Sequence, residues 1–473
     1  MTLAAGPSRF AADRSLADRA LDRVAGGRPV PGNDVRLVYD GPEIFPAMLE
    51  AIAGARRWIH LDTYILRDDT TGRRFAAALA TRAREGVQVR VLTDWVGSFG
   101  TSRRFWDGLR AAGVRVRFFG PPNLWHLRRN FTRNHRKLLV TDGEWAMTGG
   151  WCIGDEWAGD PERGRQPWRD TGVVIEGPAA AVLDPAFAAV WGRLGTRLPP
   201  DEQVAEVSAR GEAEVRVLAG EPGGARTSRV LELLLAAAEE RVWITDAYLV
   251  APRGIFRGLL DAARQGIDVR LLVPGTSDLP HIRNLTRTGY RELLDAGVRI
   301  FEWRGAMLHA KSVVSDGRWS RIGSTNLNLS SLIANYELDV LIEDEAFAQQ
   351  MEAQFRRDLD HATEVCYERT PFFRDSLAFR PAEEPSGEHH PGLRERRRRA
   401  VVALRAVIAG SERVLYFQRL LALSLIAVLL LVFPRPTGLV LGGAVLWVAM
   451  TTLVDALVAR RRNRSHGSGI VTG

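Results

Sequence analysis

The sequence predicts an α/β protein built from two like halves, followed by a membrane-inserted tail. The first observation is where lysine occurs. The chain of 473 residues carries 64 Lys and Arg side chains, of which only Lys137 and Lys311 are lysines. Both stand in one pattern: His135-Arg136-Lys137 with Asp142 five residues on, and His309-Ala310-Lys311 with Asp316 five residues on. A coding bias towards Arg explains why lysine is scarce, not where the two survivors lie. A compact ammonium with three rotatable donors suits a tight phosphate pocket that a rigid, planar guanidinium would not fit.

The second observation is that the surroundings repeat as well. Arg57-Trp58-Ile59 leading to Asp62-Thr63-Tyr64 returns as Arg241-Val242-Trp243-Ile244 leading to Asp246-Ala247-Tyr248. Gly86-Val87 before Val89-Arg90-Val91-Leu92 returns as Gly266-Ile267 before Val269-Arg270-Leu271-Leu272, and Ala112-Gly113-Val114-Arg115 returns as Ala296-Gly297-Val298-Arg299. Each half thus reads strand, helix, strand, helix, strand, then the motif strand, an alternation that argues for α/β layers. The expected organisation is an N-terminal segment (1–32), polar, Arg-rich and weakly helical, without a signal peptide. A first repeat (33–200) and a second (201–369) follow, each a mixed β-sheet flanked by helices and related by a pseudo-twofold axis. Pro371, Pro381, Pro385 and Pro391 mark 370–413 as a linker that ends in the basic run around Arg396–Arg399.

The tail supplies the third observation. Residues 414–433 and 438–458 are apolar stretches of about membrane-spanning length, separated by Pro434-Arg435-Pro436-Thr437. They predict a transmembrane helical hairpin over 414–459 and a short basic tail over 460–473. Arg clusters flank both ends, which is expected to place those flanks, and the body of the chain, on the cytoplasmic side of the inner membrane. The Arg394–Arg399 run is also drawn to an anionic membrane surface.

Charge separates function classes. Residues 391–473 hold thirteen Arg against Glu395, Glu412 and Asp455, so the formal charge of +8 leaves the body near −2. A nucleic-acid enzyme carries its basic footprint on the catalytic domain, so no nucleic-acid partner is expected. Cys152 and Cys366 are the only cysteines, which excludes a disulfide framework and a Cys-based metal site. The other histidines have no ligand spacing, and no metal or other cofactor is expected.

On a strand, residues two apart share a face, so the His and Lys of each copy are expected side by side, with Arg136 and Ala310 pointing away. One His and one Lys make half a site. Two copies supply what displacement at phosphorus needs: a nucleophile, a general acid and cations around the phosphoryl oxygens.

Residues 30–365 or so resemble the phospholipase D superfamily, whose signature is this motif in two copies. Gly149-Gly150 and Gly323-Ser324-Thr325-Asn326 trail the motifs as that family's pattern expects. The string Asn134-His135-Arg136-Lys137, with Trp168-Arg169-Asp170 and Asn335-Tyr336-Glu337, is similar to bacterial cardiolipin synthases. The resemblance implies that His135 is the nucleophile and His309 the acid. It implies that Lys137, Lys311 and Asn326, with Asn134 and Ser324, hold the phosphoryl group, and that Asp170 and Glu337 orient the imidazoles. Asp142 and Asp316 complete the catalytic motifs and are expected to brace their own loops. Cys152 departs from the pattern, standing where the family has an Asn; a small buried cysteine is the expected reading. The implied activity is transfer of a phosphatidyl group, through a phosphohistidine, to an alcohol such as phosphatidylglycerol. A phospholipase D hydrolase releasing phosphatidic acid stays open beside it, as do, further off, a nuclease or phosphodiesterase and a catalytically dead scaffold. Because one chain holds both half-sites, the chemistry does not require an oligomer. The Trp-rich stretch near the first motif reads as core, without a site role.

Overall fold

In the computed structural model the described residues are 16–121, 131–203, 206–368 and 376–381. The expected hairpin at 414–459, the basic tail and most of the linker lie outside them. Among the described residues, no helix is long and apolar enough to cross a membrane.

The first repeat supplies β1 (Val30–Tyr39), β2 (Trp58–Thr63), β3 (Gln88–Asp94), β4 (Arg115–Phe119), β5 (Leu138–Thr141), β6 (Trp145–Gly149) and β7 (Thr171–Glu176). The second supplies β8 (Ala213–Gly220), β9 (Arg241–Asp246), β10 (Asp268–Pro274), β11 (Arg299–Trp303), β12 (Lys311–Ser315), β13 (Trp319–Gly323) and β14 (Glu337–Glu343). Spatial order is β4-β3-β2-β5-β6-β7-β1 in the first and β11-β10-β9-β12-β13-β14-β8 in the second, the same order twice. In each repeat the first three strands of that order run parallel and the rest antiparallel, which makes two mixed sheets. Antiparallel pairing of β1 with β8, in the register Val30↔Val215 and Asn33↔Ala213, joins the two into one ladder. β15 (Ala362–Glu368) and β16 (Ser376–Pro381) extend it beyond β11. Ser376–Pro381 lies in the stretch read from sequence as linker and pairs with β15 from Thr363↔Pro381 to Glu368↔Ser376.

The helices, in chain order, are α1 (Leu16–Ala25), α2 (Asp40–Gly54), α3 (Thr70–Arg84), α4 (Arg103–Ala111), the single turn α5 (Asp155–Ala158) and α6 (Pro178–Arg193). In the second repeat they are α7 (Arg226–Ala237), α8 (Arg253–Arg264), α9 (Pro280–Thr288), α10 (Tyr290–Asp295) and α11 (Glu345–Asp360). Parallel strands require a crossover, and α3 and α4, like α8 and the α9–α10 pair, supply it. The inner parallel strands are covered on both faces, and all six residues of β2 are buried, whereas the edge strand β4 has none buried.

One hydrophobic core belongs to each repeat, and a third lies between them. In that shared core Leu138, Val140, Ala146, Val173 and Ile175 of the first repeat pack with Trp243, Val314, Ile322, Leu338 and Val340 of the second. Phe187 of α6 and Phe355 of α11 close it. The repeats are therefore not separate domains tethered by a loop, because neither buries this face alone.

A buried imidazole ties the inter-repeat connection to this frame. His60 on β2 lies flat against Phe187, with ring centroids 4.6 Å apart. Its Nδ1 is 2.7 Å from Asp184 Oδ1 and its Nε2 is 3.2 Å from Glu202 Oε2. Glu202 in turn binds the buried Arg90 guanidinium. Burial lowers the proton affinity of His60, but the two carboxylates outweigh it and raise its pKa above the usual 6.5. A raised histidine pKa gives stability that is complete below about 6.5 and lost as pH rises through the folded value. Thermal melts of wild type and His60→Gln should therefore differ most near pH 6, by the roughly 3–5 kcal/mol of a broken buried charge pair, and converge as pH rises. A gap that does not change with pH contradicts a charged His60.

Candidate active site

The hairpins that carry the motifs are built alike. Asp142 and Gly143 take φ of 56° and 73°, and Asp316 and Gly317 take 52° and 62°, the left-handed values that Asp and Gly tolerate best. Asp142 accepts hydrogen bonds from the backbone N–H groups of Arg56, Arg57 and Trp58 at 2.7–2.9 Å. Asp316 does the same for Glu239, Glu240 and Arg241 at 2.9 Å. Both aspartates thus sit at the far ends of β5 and β12 from the histidines, fixing where those strands enter the sheet.

At their other ends the two segments leave the ladder. The sequence places each His-x-Lys on a strand, but β5 begins only at Leu138 and β12 at Lys311. The residues just before them cross to the opposite repeat. The His135 N–H donates to Tyr336 O (2.9 Å) and the Tyr336 N–H to Arg133 O (2.9 Å). In the mirrored place the His309 N–H donates to Arg169 O (2.7 Å) and the Arg169 N–H to Met307 O (2.9 Å). The residues that follow these partners are Glu337 and Asp170. Glu337 Oε2 lies 3.0 Å from His135 Nδ1, and Asp170 Oδ2 lies 2.9 Å from His309 Nδ1. Each histidine is thus paired with a carboxylate of the other repeat, and two short backbone bridges set that exchange.

Two buried arginines and the half-buried Asp40 support it. Arg136 points away from the site, as alternation requires, and enters the seam, donating to the carbonyls of Glu337 (3.0 Å), Ala186 (2.6 Å) and Gly220 (2.9 Å). Arg169 grips Asp358 on α11 through Nε (2.9 Å) and Nη2 (2.7 Å). The Asp170 N–H donates to Asp40 Oδ1 at 2.7 Å.

The electrostatics also join the halves. Burial lowers the pKa of His135, and although Glu337 pulls upward, Lys137 and Lys311 push the same way as burial. His309 falls to about 3 through burial and Lys311, with a further push from Lys137, against the pull of Asp170. Each lysine thus acts on the histidine of the other motif, as one common site requires. Asp170 and Glu337 are pushed up by burial, but their histidine partners and the lysines hold both below the ordinary carboxylate range. Each pair is therefore a neutral imidazole whose Nδ1–H faces a carboxylate, leaving the Nε2 lone pair for chemistry.

Both ammonium groups are wholly buried. Lys137 Nζ donates to His135 O at 2.7 Å, and Lys311 Nζ donates to His309 O. One donor is used in each case and two remain. Lys137 Nζ lies 5.3 Å from the centroid of the Tyr64 ring and Lys311 Nζ 5.8 Å from that of Tyr248. Those rings also meet the histidines, Tyr64 at 4.9 Å from His135 and Tyr248 at 6.1 Å from His309. Burial brings Lys311 down to about 8.

The remaining expected residues divide. Asn326 is buried, with a long bond to Ser331 Oγ (3.4 Å) and an Oδ1 that has no protein partner. Asn134 Nδ2 donates to Asp62 Oδ1 at 2.7 Å, so its amide faces the end of β2. The Ser324 hydroxyl donates to Glu337 Oε2 at 2.6 Å and accepts from the Leu338 N–H, which ties it to the carboxylate. Cys152 is buried, and burial raises its thiol pKa.

Sequence reasoning missed four aromatic neighbours. Tyr64 and Tyr248 close the repeated Asp-x-Tyr strings, and that recurrence was the signal. Trp157 and Trp168, read as plain core, pack against His309 with centroids 5.3 and 5.6 Å away. Trp157 Nε1 also donates to Asp170 Oδ2 at 3.1 Å. Gly150 permits this approach, since a Cβ there would lie 2.2 Å from Asp170 Oδ1. Among the described residues, no cluster of His, Cys, Asp and Glu could hold a metal ion.

Two repeats of this topology, sharing paired His and Lys side chains, define a phospholipase D-like protein. The family model described as "Cardiolipin synthase, PLD-like domain" matches residues 48–156 and 231–359. A cardiolipin synthase A of Pseudomonas entomophila (strain L48) is 36% identical over 361 residues, 75% of this chain and 74% of that one. A cardiolipin synthase A of Pseudomonas aeruginosa (strain LESB58) is 35% identical over 372 residues, covering 78% and 72%. The crystal structure of phosphatidylserine synthase from Haemophilus influenzae Rd KW20 shares the fold, with a TM-score of 0.58 at 16% identity over 74% of this chain and 92% of that one. The chain belongs to the cardiolipin synthase family of phospholipase D-like proteins.

Asp170→Asn and Glu337→Gln should each lower kcat by roughly 10²–10⁴ while leaving the fold intact, the scale of a lost base–orienter pair. Unchanged turnover in either contradicts the pairing. If the Lys311 ammonium is needed, kcat/KM should fall as pH rises through about 8, where that charge is lost. In Lys311→Arg, residual activity should be severely reduced and its alkaline limb displaced upward; a limb still near 8 assigns it to another group.

Proposed function

We propose that this chain is a membrane-bound phosphatidyltransferase that makes cardiolipin from phosphatidylglycerol. The observation that carries the reading is the pair of carboxylate-oriented imidazoles, with two buried ammonium groups that each act on both, in a chain of the cardiolipin synthase family. Nε2 of His135 attacks the phosphorus of one phosphatidylglycerol, and the P–O bond to the headgroup glycerol breaks. His309, protonated as the anionic phosphodiester enters beside it, gives its proton to the departing oxygen. The spare donors of Lys137 and Lys311, with Asn326, hold the non-bridging oxygens as charge builds there. His309, now neutral, takes the proton from a headgroup hydroxyl of a second phosphatidylglycerol. That oxygen attacks the phosphohistidine and releases cardiolipin and free His135.

The sequence of 414–433 and 438–458, apolar and with Arg on both flanks, supports reading the tail as a membrane-inserted hairpin with its flanks at the cytoplasmic face of the inner membrane. Asp142 and Asp316 act through the loops they brace, and Ser324 through Glu337.

Purified full-length protein incubated with phosphatidylglycerol in mixed micelles should yield cardiolipin and glycerol by mass spectrometry, and His135→Ala should yield neither. Phosphatidic acid without cardiolipin would identify a hydrolase instead.

A further inference from the structure

Around the site mouth the molecule presents apolar groups that packing does not explain. β2 and β3 run in parallel and end at the site, where Asp94 at the close of β3 accepts the Asn134 N–H at 3.0 Å. β10 ends on the same side of the second repeat, and Asp278 just beyond it accepts the Tyr248 hydroxyl at 2.8 Å. Of eight large apolar side chains exposed among the described residues, six lie at this end: Val96, Phe99, Phe131, Leu279, Leu285 and Leu329. Phe99 and Phe131 are 71% and 67% exposed. Scattered exposed apolar residues are ordinary, but a gathering of them marks a contact surface.

Their placement follows the pseudo-twofold. Val96 and Phe99 follow β3, and Leu279 and Leu285 follow β10, its counterpart. Phe131 precedes the first motif, and Leu329 follows Asn326. α9 carries Leu285, and none of its nine residues is buried; the burial that α4 provides through Trp106 and Leu109 falls in the second repeat to Tyr290 and Leu293 of α10, which leaves α9 outside the core. Arg103, Arg104 and Arg253 are exposed at the same end, where α4 and α8 begin.

We propose that these residues form a docking rim that seats the site mouth on an anionic phospholipid bilayer. The proposal rests on the lipid-substrate reading above and adds the surface by which the substrate is reached. A phosphodiester headgroup lies at the water–lipid boundary, so a buried site must bring its mouth to that plane. Apolar and aromatic side chains enter the boundary and arginines meet the anionic headgroups. The apolar tail sequence supplies anchorage, and the rim supplies orientation.

The test uses the full chain in vesicles of phosphatidylglycerol and phosphatidylethanolamine. A polarity-sensitive fluorophore is placed on Phe99→Cys or Leu279→Cys in a Cys366→Ser background, Cys152 being buried. Val182→Cys is the control, exposed near the start of α6 at the opposite end of the sheet. Expected is a blue-shifted emission, quenched by spin-labelled lipid, at 99 and 279 but not at 182. No quenching at 99 and 279, or equal quenching at 182, overturns the rim; protection at 99 without lipid quenching assigns the surface to a protein contact and overturns it too. In parallel, Phe99→Ser with Leu279→Ser should lower kcat/KM on vesicle lipid by about 10-fold, the effect of about 1.4 kcal/mol of lost apolar contact, and leave turnover of monomeric short-chain phosphatidylglycerol unchanged. Equal loss on both substrates contradicts the rim. Lipid quenching at 99 in a protein inactive on either substrate sustains the rim and overturns the transferase reading.

Discussion

The exchange of carboxylates between repeats is the constraint on which the rest depends. His135 is oriented by Glu337, and His309 by Asp170, so neither repeat orients its own imidazole. The exchange requires the motif backbones to leave their own sheets and bond the opposite repeat. It also requires the seam to be rigid, which the shared core and the three carbonyl bonds of buried Arg136 provide. A buried carboxylate in such a seam is costly unless every lone pair is served. Trp157 Nε1 and the Thr171 N–H serve Asp170, while Ser324 serves Glu337.

Those different partners make the half-sites chemically unequal. His309 sits among Trp157, Trp168 and Tyr248, whereas Tyr64 is the aromatic neighbour that meets His135. The drier ring is the one driven to about 3, and its motif lysine is drawn down to about 8. A symmetric fold thus carries an asymmetric pair of imidazoles, which suits the proposed reaction, in which the two take different parts.

Much of this was legible in the sequence because duplication repeats its signals. Two lysines in one pattern pointed to the site, the repeated strand and helix strings gave the α/β order of both halves, and the Asp-Gly turns gave the motif hairpins. What the sequence did not reveal depends on contacts between distant residues. Local alternation places His135 on a strand, but the backbone bond to Tyr336, 201 residues away, pulls it off the ladder. Joining of the sheets through β1 and β8, the Trp157 bond to Asp170 and the use of the Ser324 hydroxyl likewise arise only once the repeats meet. Trp157 and Trp168 carry no local mark that separates a ring packed on a motif imidazole from one in an ordinary core.

The most direct measurement is the nitrogen NMR spectrum of the histidine rings in protein labelled selectively at histidine. At neutral pH both motif imidazoles should be neutral and protonated on Nδ1. Asp170→Asn should perturb His309 and leave His135 unchanged, and Glu337→Gln should do the reverse. Perturbation of the histidine in the same repeat as the altered carboxylate, or of neither ring, would contradict the exchange.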